Sequence, residues 1–264
     1  MDKRALLDRH AADGDERLVL SRVLDKAEAA QRRQNPECTV FLSPRERMDA
    51  ENLLHAAGSG PYTALGGYDG AERQVLLFRP DWLEPEFIDP ADYISLLRCR
   101  WFHEDAAPTH RDLLGALMGM GVRRDTVGDI LVGPDSADLL VLPSVAGFLR
   151  DNLTSAGRVR LHVEDAPLNA VHIPAQERKT IHDTVAALRL DSVLASGFSI
   201  SRSKAAQFIA AGRVAVNWQD TGKSDLAVKE GDVLSCRGLG KCRLVEVGGL
   251  SRKGRINITM ERYL

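Results

Sequence analysis

The sequence predicts an α+β protein of three small domains, and three observations carry that prediction. Its 264 residues, 44% of them hydrophobic, suffice for two domains of about 100–150 residues or three smaller ones, and exclude disorder as a description of the whole. Helical periodicity and short alternating runs follow one another along the chain. Charge, finally, is divided. Of the 35 basic and 37 acidic residues, 14 and 8 lie in residues 179–264, which leaves that segment at +6 and residues 1–178 at −8. A basic module on an acidic body is the footprint of a polyanion-binding domain. The expected division is 1–75, 76–170, a polar linker at 171–180, and 181–264.

The first domain reads as α/β. From Asp15 to Asn35, the residues Leu18, Leu20, Val23, Leu24, Ala27 and Ala30 form an amphipathic stripe that Asn35-Pro36 stops. Thr39 to Leu42 is a short strand candidate. In Ser43-Pro44-Arg45-Glu46, Ser43 can cap, Pro44 suits the first helical position and Glu46 can close a capping box. That helix buries Met48, Leu53 and Leu54 and ends at Gly58. Tyr62 to Arg79 gives two strands around Asp69-Gly70. Gly66, Gly67 and Gly70 precede no helix start and no GKS or GKT, so they mark a turn and not a phosphate loop.

The middle domain alternates strand and helix. Strands are expected at Ile94–Phe102, Gly128–Val132, Asp138–Leu142 and Arg158–Val163, with helices at His110–Met120 and Val145–Leu153. With Val75–Phe78 as opener the order is β-β-α-β-β-α-β, similar to a ferredoxin-like, or RRM-like, sandwich with an extra strand. Arg98, Arg100, Trp101 and Phe102 would suit a base-stacking platform on such a sheet, although the usual RNP aromatic signature is absent.

The last module carries most of the chemistry. Leu190, Val193 and Leu194 stripe a first helix that ends at Gly197; Ser201 caps a second, whose inner face is Ala205, Phe208 and Ile209. Gly212 ends it, and Val214 and Val216 alternate as a strand. The second helix begins Ser201-Arg202-Ser203-Lys204, so cations, hydroxyls and unpaired backbone N–H groups surround one positive helix end. Cations there oppose the helix dipole, and no acid stands close by in the sequence, so an RNA phosphate would resolve the conflict. Further on, Cys236 to Arg243 is a glycine-containing hairpin bearing Arg237, Lys241 and Arg243. Ser251-Arg252-Lys253-Gly254-Arg255 adds cations before an alternating strand through Ile256, Ile258 and Met260.

Four pieces of this module, Arg189-Leu190-Asp191, Ser201 to Lys204, Gly212 to Asn217 and Gly231 to Ser235, together resemble the S4 RNA-binding domain over residues 181–246. The resemblance implies that Arg189, Ser201, Arg202, Ser203, Lys204, Gln207 and Arg213 contact structured RNA, with Asp191 orienting a neighbouring arginine. Phe41 to Glu46, Gly66 to Arg73, Thr109 to Gly121 and Val127 to Ile130 extend the likeness to nearly the whole chain, which resembles the YlmH-type RNA-binding proteins of bacterial division gene clusters. That likeness implies an N-terminal α/β domain, an RRM-like domain and an S4 module. It also implies binding to large-subunit ribosomal RNA or peptidyl-tRNA, in rescue of stalled ribosomes.

No cofactor, metal or membrane partner is expected, and the sequence is read as that of a non-catalytic, cytoplasmic protein. Asp8 and Arg9 interrupt any signal-peptide core, and no apolar run reaches the roughly 18–20 residues of a membrane span. Cys38, Cys99, Cys236 and Cys242 form no CxxC pair, and the seven histidines, His103 among them, show no metal-ligand spacing. Pseudouridine synthase, methyltransferase and tyrosyl-tRNA synthetase motifs are missing from the body. Two alternatives stay open: an RNA-modifying enzyme that uses the S4 module for targeting, and a cell-division-linked interaction scaffold.

Overall fold

The computed structural model describes residues 3–102, 107–175 and 178–263; His103 and the linker residues Gln176 and Glu177 lie outside them. It divides into two compact units, residues 1–174 and 175–264, each with its own core. Helices and antiparallel sheets make an α+β fold.

In the first unit, α1 (Lys3–His10), α2 (Gly14–Arg33) and α3 (Pro44–Ala57) share a core with a sheet of β1 (Glu37–Cys38), β2 (Tyr62–Leu65) and β3 (Val75–Phe78), ordered β1-β3-β2. Asp13 caps α2 by accepting from the Glu16 amide, and Gln34, at φ 55°, closes it. Leu18 is exposed and does not join the α2 stripe; two positions before Leu20, it lies about 200° round the helix. Ser43 and Glu46 form the expected capping box of α3, and Gly58, at φ 62°, ends it. β3 is not the opener of the middle domain. It pairs with β1 and β2, because its Leu76 and Phe78 are buried among the helices.

The middle domain comprises β4 (Ser95–Arg100), α4 (His110–Gly119), β5 (Val127–Val132), β6 (Ser136–Val141), α5 (Pro143–Asn152), β7 (Ser155–Ala156), β8 (Val159–Arg160) and β9 (His162–Ala166). Its four-stranded sheet is ordered β5-β6-β4-β9, the arrangement of a ferredoxin-like β-α-β-β-α-β sandwich without an extra strand. The expected closing strand is divided in two. Gly157, at φ 60°, turns residues 155–160 into a separate hairpin, and β9 closes the sheet beside β4.

Alternation assigns the two faces of this sheet. Leu97, Cys99, Leu139 and Val141 face α4 and α5. On the opposite face Leu96, Leu140 and Leu131 pack against Phe41 and Val75 from the first domain and against Leu168. The loop before β3 is fastened to the same sheet. Asp129 accepts from the Tyr68 hydroxyl (2.8 Å) and from the amides of Glu72 (2.7 Å) and Arg73 (3.1 Å). A Cβ at Gly128 would lie 2.7 Å from the Phe41 ring, so the glycine permits the close approach. The first two domains therefore keep separate cores and share one buried cluster between them.

The second unit begins with β10 (Arg178–Val185), so Arg178, Lys179 and Thr180 belong to a strand and not to the linker. It continues with α6 (Leu190–Phe198), α7 (Arg202–Ala210), β11 (Val214–Val216), β12 (Gln219–Asp220), β13 (Val233–Cys236), β14 (Gly240–Leu250) and β15 (Ile256–Tyr263). The sheet runs β10-β15-β14-β13-β11-β12, and α6 and α7 cover one of its faces, burying Leu190, Leu194, Ile209, Leu234, Cys242 and Met260. Gly197 does not end α6; the left-handed Ser199 (φ 53°) does. Among the described residues, no helix is long and apolar enough to cross a membrane.

Candidate nucleic-acid interface

The start of α7 is built by the cap that the sequence predicts. The Ser201 hydroxyl accepts from the Lys204 amide (3.2 Å) and lies 3.0 Å from the Ser203 hydroxyl. This makes Ser201 a structural residue first. Ser203, Lys204 and Gln207 follow on the exposed side of the helix, while Ala205 and Ile209 are buried.

The arginines around this helix end have an acid after all. Asp191, in the first turn of α6, is 5% exposed. It accepts from Arg202 Nε (2.9 Å) and Nη2 (2.8 Å), and from Arg189 Nε and Nη2 (3.3 Å each). Burial alone would raise this carboxyl, but the bonds from Arg189 and Arg202 outweigh it and hold the group below its usual range. The local conflict between cations and helix dipole is thus met within the fold, against the sequence expectation, by a residue eleven positions upstream. The arginines are not sealed by it. Their side chains remain 41% exposed for Arg189 and 56% for Arg202, so each keeps donors turned to solvent in a fixed orientation. A planar guanidinium fixed in this way suits phosphate oxygens.

Not every residue in the S4-like pattern faces outward. Asn217 donates to Asp232 Oδ1 (2.9 Å) and accepts from the Val233 amide (2.9 Å), while Asp232 Oδ2 accepts from the Lys229 amide (2.8 Å). Those two residues tie the turn after β11 to the loop before β13.

The remaining candidates lie elsewhere. Arg213 stacks over Phe208 (4.7 Å to the ring centre) and donates to the Arg237 carbonyl (2.5 Å); Arg237 lies 3.7 Å from Asp220. Lys241 and Arg243 alternate with the buried Cys242 and Leu244, and so occupy the face of β14 away from the helices. There Lys241 lies over Tyr263 (5.5 Å), and Arg178 lies over the same ring (5.2 Å). The structure therefore gathers Arg189, Ser201, Arg202, Ser203 and Lys204, with Gln207 a turn further on. Arg213 and Arg237 form a second group, Lys241 and Arg243 a third. Arg178 and Tyr263 stand outside the sequence-predicted set; Arg178 falls in the expected linker, and the alternation of Ile181 and Val185 with polar residues is the signal for its strand.

Among the described residues the middle domain offers no stacking platform. Arg98 is buried and doubly bonded to Asp138 (2.8 Å each), Arg100 pairs with Glu164 (2.7 Å), and Trp101 is in the core. Phe102 is exposed, but lies beyond the end of β4. Among the described residues there is no group of three or more His, Cys, Asp or Glu able to hold a metal. Burial pushes the Cys99 and Cys242 thiols up to about 12, which leaves them unreactive near neutral pH.

Comparison with known proteins agrees with this layout. Three family models match: "YlmH, N-terminal" over residues 15–82, "Putative RNA-binding domain in YlmH" over 91–170, and "S4 domain" over 188–234. The chain is 35% identical over 248 residues to the ribosome-associated protein quality control protein P2 of Bacillus subtilis (strain 168), covering 94% of this chain and 95% of that protein. A solved structure, that of the cell division protein ylmH from Streptococcus pneumoniae, aligns with a TM-score of 0.51 at 21% identity, covering 60% of this chain and 95% of the other. At that identity it bears on the fold alone.

Proposed function

The chain belongs to the YlmH family, and from that premise we propose that it is a non-catalytic factor that docks on structured RNA of the large ribosomal subunit through its S4 module. Its partner there is large-subunit ribosomal RNA or peptidyl-tRNA, in the rescue of stalled ribosomes. The observation that carries this reading is the pair of half-exposed guanidinium groups held on the buried Asp191 carboxylate at the start of α7. Ser203 and Lys204 extend the surface, and the +6 balance of residues 179–264 supplies its long-range attraction. The ribosomal role is what the name of the Bacillus subtilis relative says of that protein, transferred here on overall similarity.

Binding of the full chain to purified large subunits, measured against salt, tests the docking surface. Affinity should fall steeply as salt rises, because each phosphate contact releases counterions. Arg202→Gln with Lys204→Ala should weaken binding at least tenfold and flatten the salt slope by about 2, at roughly 0.9 per lost phosphate contact. Glutamine is used because a glutamate at 202 would face Asp191. A folded double variant that binds large subunits as tightly as the parent overturns the proposal. Mass analysis of ribosomal and transfer RNA from cells lacking the protein separates it from an RNA-modifying enzyme, for which one modification should be missing.

A further inference from the structure

An RRM reads RNA by stacking bases on aromatic side chains of its two middle strands. In this chain those strands are β4 and β6, and neither holds an aromatic residue. The face they would offer is also closed. Leu96 and Leu140 are covered by Phe41 and Val75. Beside them Arg98 and Asp138 bond to each other, to the Ala170 carbonyl and to the His172 amide. RNA binding by residues 91–170 requires another surface.

The arginines of the middle domain point to one. Arg98, Arg100, Arg123 and Arg150 are each paired with a carboxylate, and Arg124 donates to the carbonyls of Val127 and Gly128. Arg111, Arg158 and Arg160 are exposed, and none of them is within salt-bridge distance of a carboxylate among the described residues, although Arg111 adds to the Thr109 bonds in the pull that lowers its neighbour Asp112. The β7–β8 hairpin sets Arg158 and Arg160 beside the start of α4, where Arg111 lies. Gly157 lies so close to α4 that a Cβ there would be 3.2 Å from the Asp112 carboxyl carbon. Arg111 adjoins Asp112 in sequence and Arg158 adjoins Gly157, while Arg158 and Arg160 flank the buried Val159. Asp112 is the one carboxylate within this contact. It is engaged in the cap of α4, accepting from the Thr109 amide (2.9 Å) and hydroxyl (2.6 Å).

We propose that the central domain binds RNA through Arg111, Arg158 and Arg160, on its helix-and-hairpin side, gripping the sugar–phosphate backbone and not the bases. The proposal deepens the reading above and rests on the protein binding ribosomal RNA. Three cations without a stacking ring give contacts that are independent of sequence and sensitive to salt.

The test uses the full chain and purified large subunits. Arg111→Ala, Arg158→Ala and Arg160→Ala together should weaken binding at least tenfold near 150 mM salt and flatten the salt slope by about 2–3. All three side chains are exposed, so the melting temperature should not move. Lysine at the same three positions should restore most of the slope, which a structural role for the arginines would not do. A photo-crosslinking residue at 158 should capture RNA, and one at 98 should not. Unchanged affinity and slope in the triple alanine variant, while the Arg202/Lys204 variant loses binding, overturns this surface and leaves the S4 docking intact. Loss in neither variant overturns both. Capture only of protein at 158 overturns the assignment to RNA.

Discussion

Asp191 shows how one carboxylate can serve a cationic surface. Buried and paired with two arginines, it removes a net charge from the module, yet it fixes the direction in which Arg189 and Arg202 present their remaining donors. The S4 resemblance implies such orientation, but not that Arg202 joins from the next helix. That depends on how α6 and α7 cross, which sequence distance does not reveal. Asp49 presents the opposite electrostatic case. Burial, then a hydrogen bond shared with Glu16, raises its carboxyl from 3.8 to about 6, against the pull of Arg45. Because the folded state holds this proton more tightly, the penalty for ionising it appears as pH rises above about 4 and is complete above about 6. Asp49→Asn should therefore be more stable than the parent at pH 7.5 and should lose that advantage below pH 4. Denaturant unfolding of both proteins at the two pH values measures the difference.

Helices were legible where local chemistry defines them. The Ser43–Glu46 capping box, the Ser201 cap and the Gly58 stop all stand where side-chain type and spacing put them. Strands were less legible, because partner choice depends on distant residues: Val75–Phe78 has a clear β pattern but no local signal for the sheet it joins. Gly197 was misjudged for a related reason. It lies inside α6 because the helix presses on the sheet there, and a Cβ would come 2.8 Å from both Cys242 Sγ and Met260 Cε. Met260 can swing aside, whereas Cys242 is wholly buried on a central strand. Gly197→Ala should thus cost about 1–3 kcal/mol by overpacking, even though alanine favours helix. The same change at Gly119, which has open space at its Cβ position in α4, should be neutral or stabilising. Comparing the two melting temperatures separates packing from propensity.

At the scale of the molecule, the first two expected domains each have a core of their own and are joined by a third buried cluster. Residues 15–82 and 91–170 match separate family models, yet Phe41, Val75, Ile94, Leu96 and Leu140 are buried together in one cluster drawn from both. Separating the two would expose these side chains, each worth about 1.5–3 kcal/mol when fully buried. It would also strip Asp129 of the Tyr68, Glu72 and Arg73 donors. A domain of some 80 residues has little stability to spare against such a loss. Fragment 1–174 should therefore unfold in one cooperative transition, while 91–174 alone should lose that cooperativity and bind a hydrophobic dye. A stable, cooperative 91–174 would show that the shared cluster is dispensable and that the sheet face can open. It would also return that face to consideration as an RNA surface. Fragment 178–264 has a separate core, fifteen buried residues among those described, and should fold without the rest. Retained binding of this fragment to large subunits, weaker than that of the full chain by the share that Arg111, Arg158 and Arg160 supply, is the outcome that joins the two proposed surfaces in one protein.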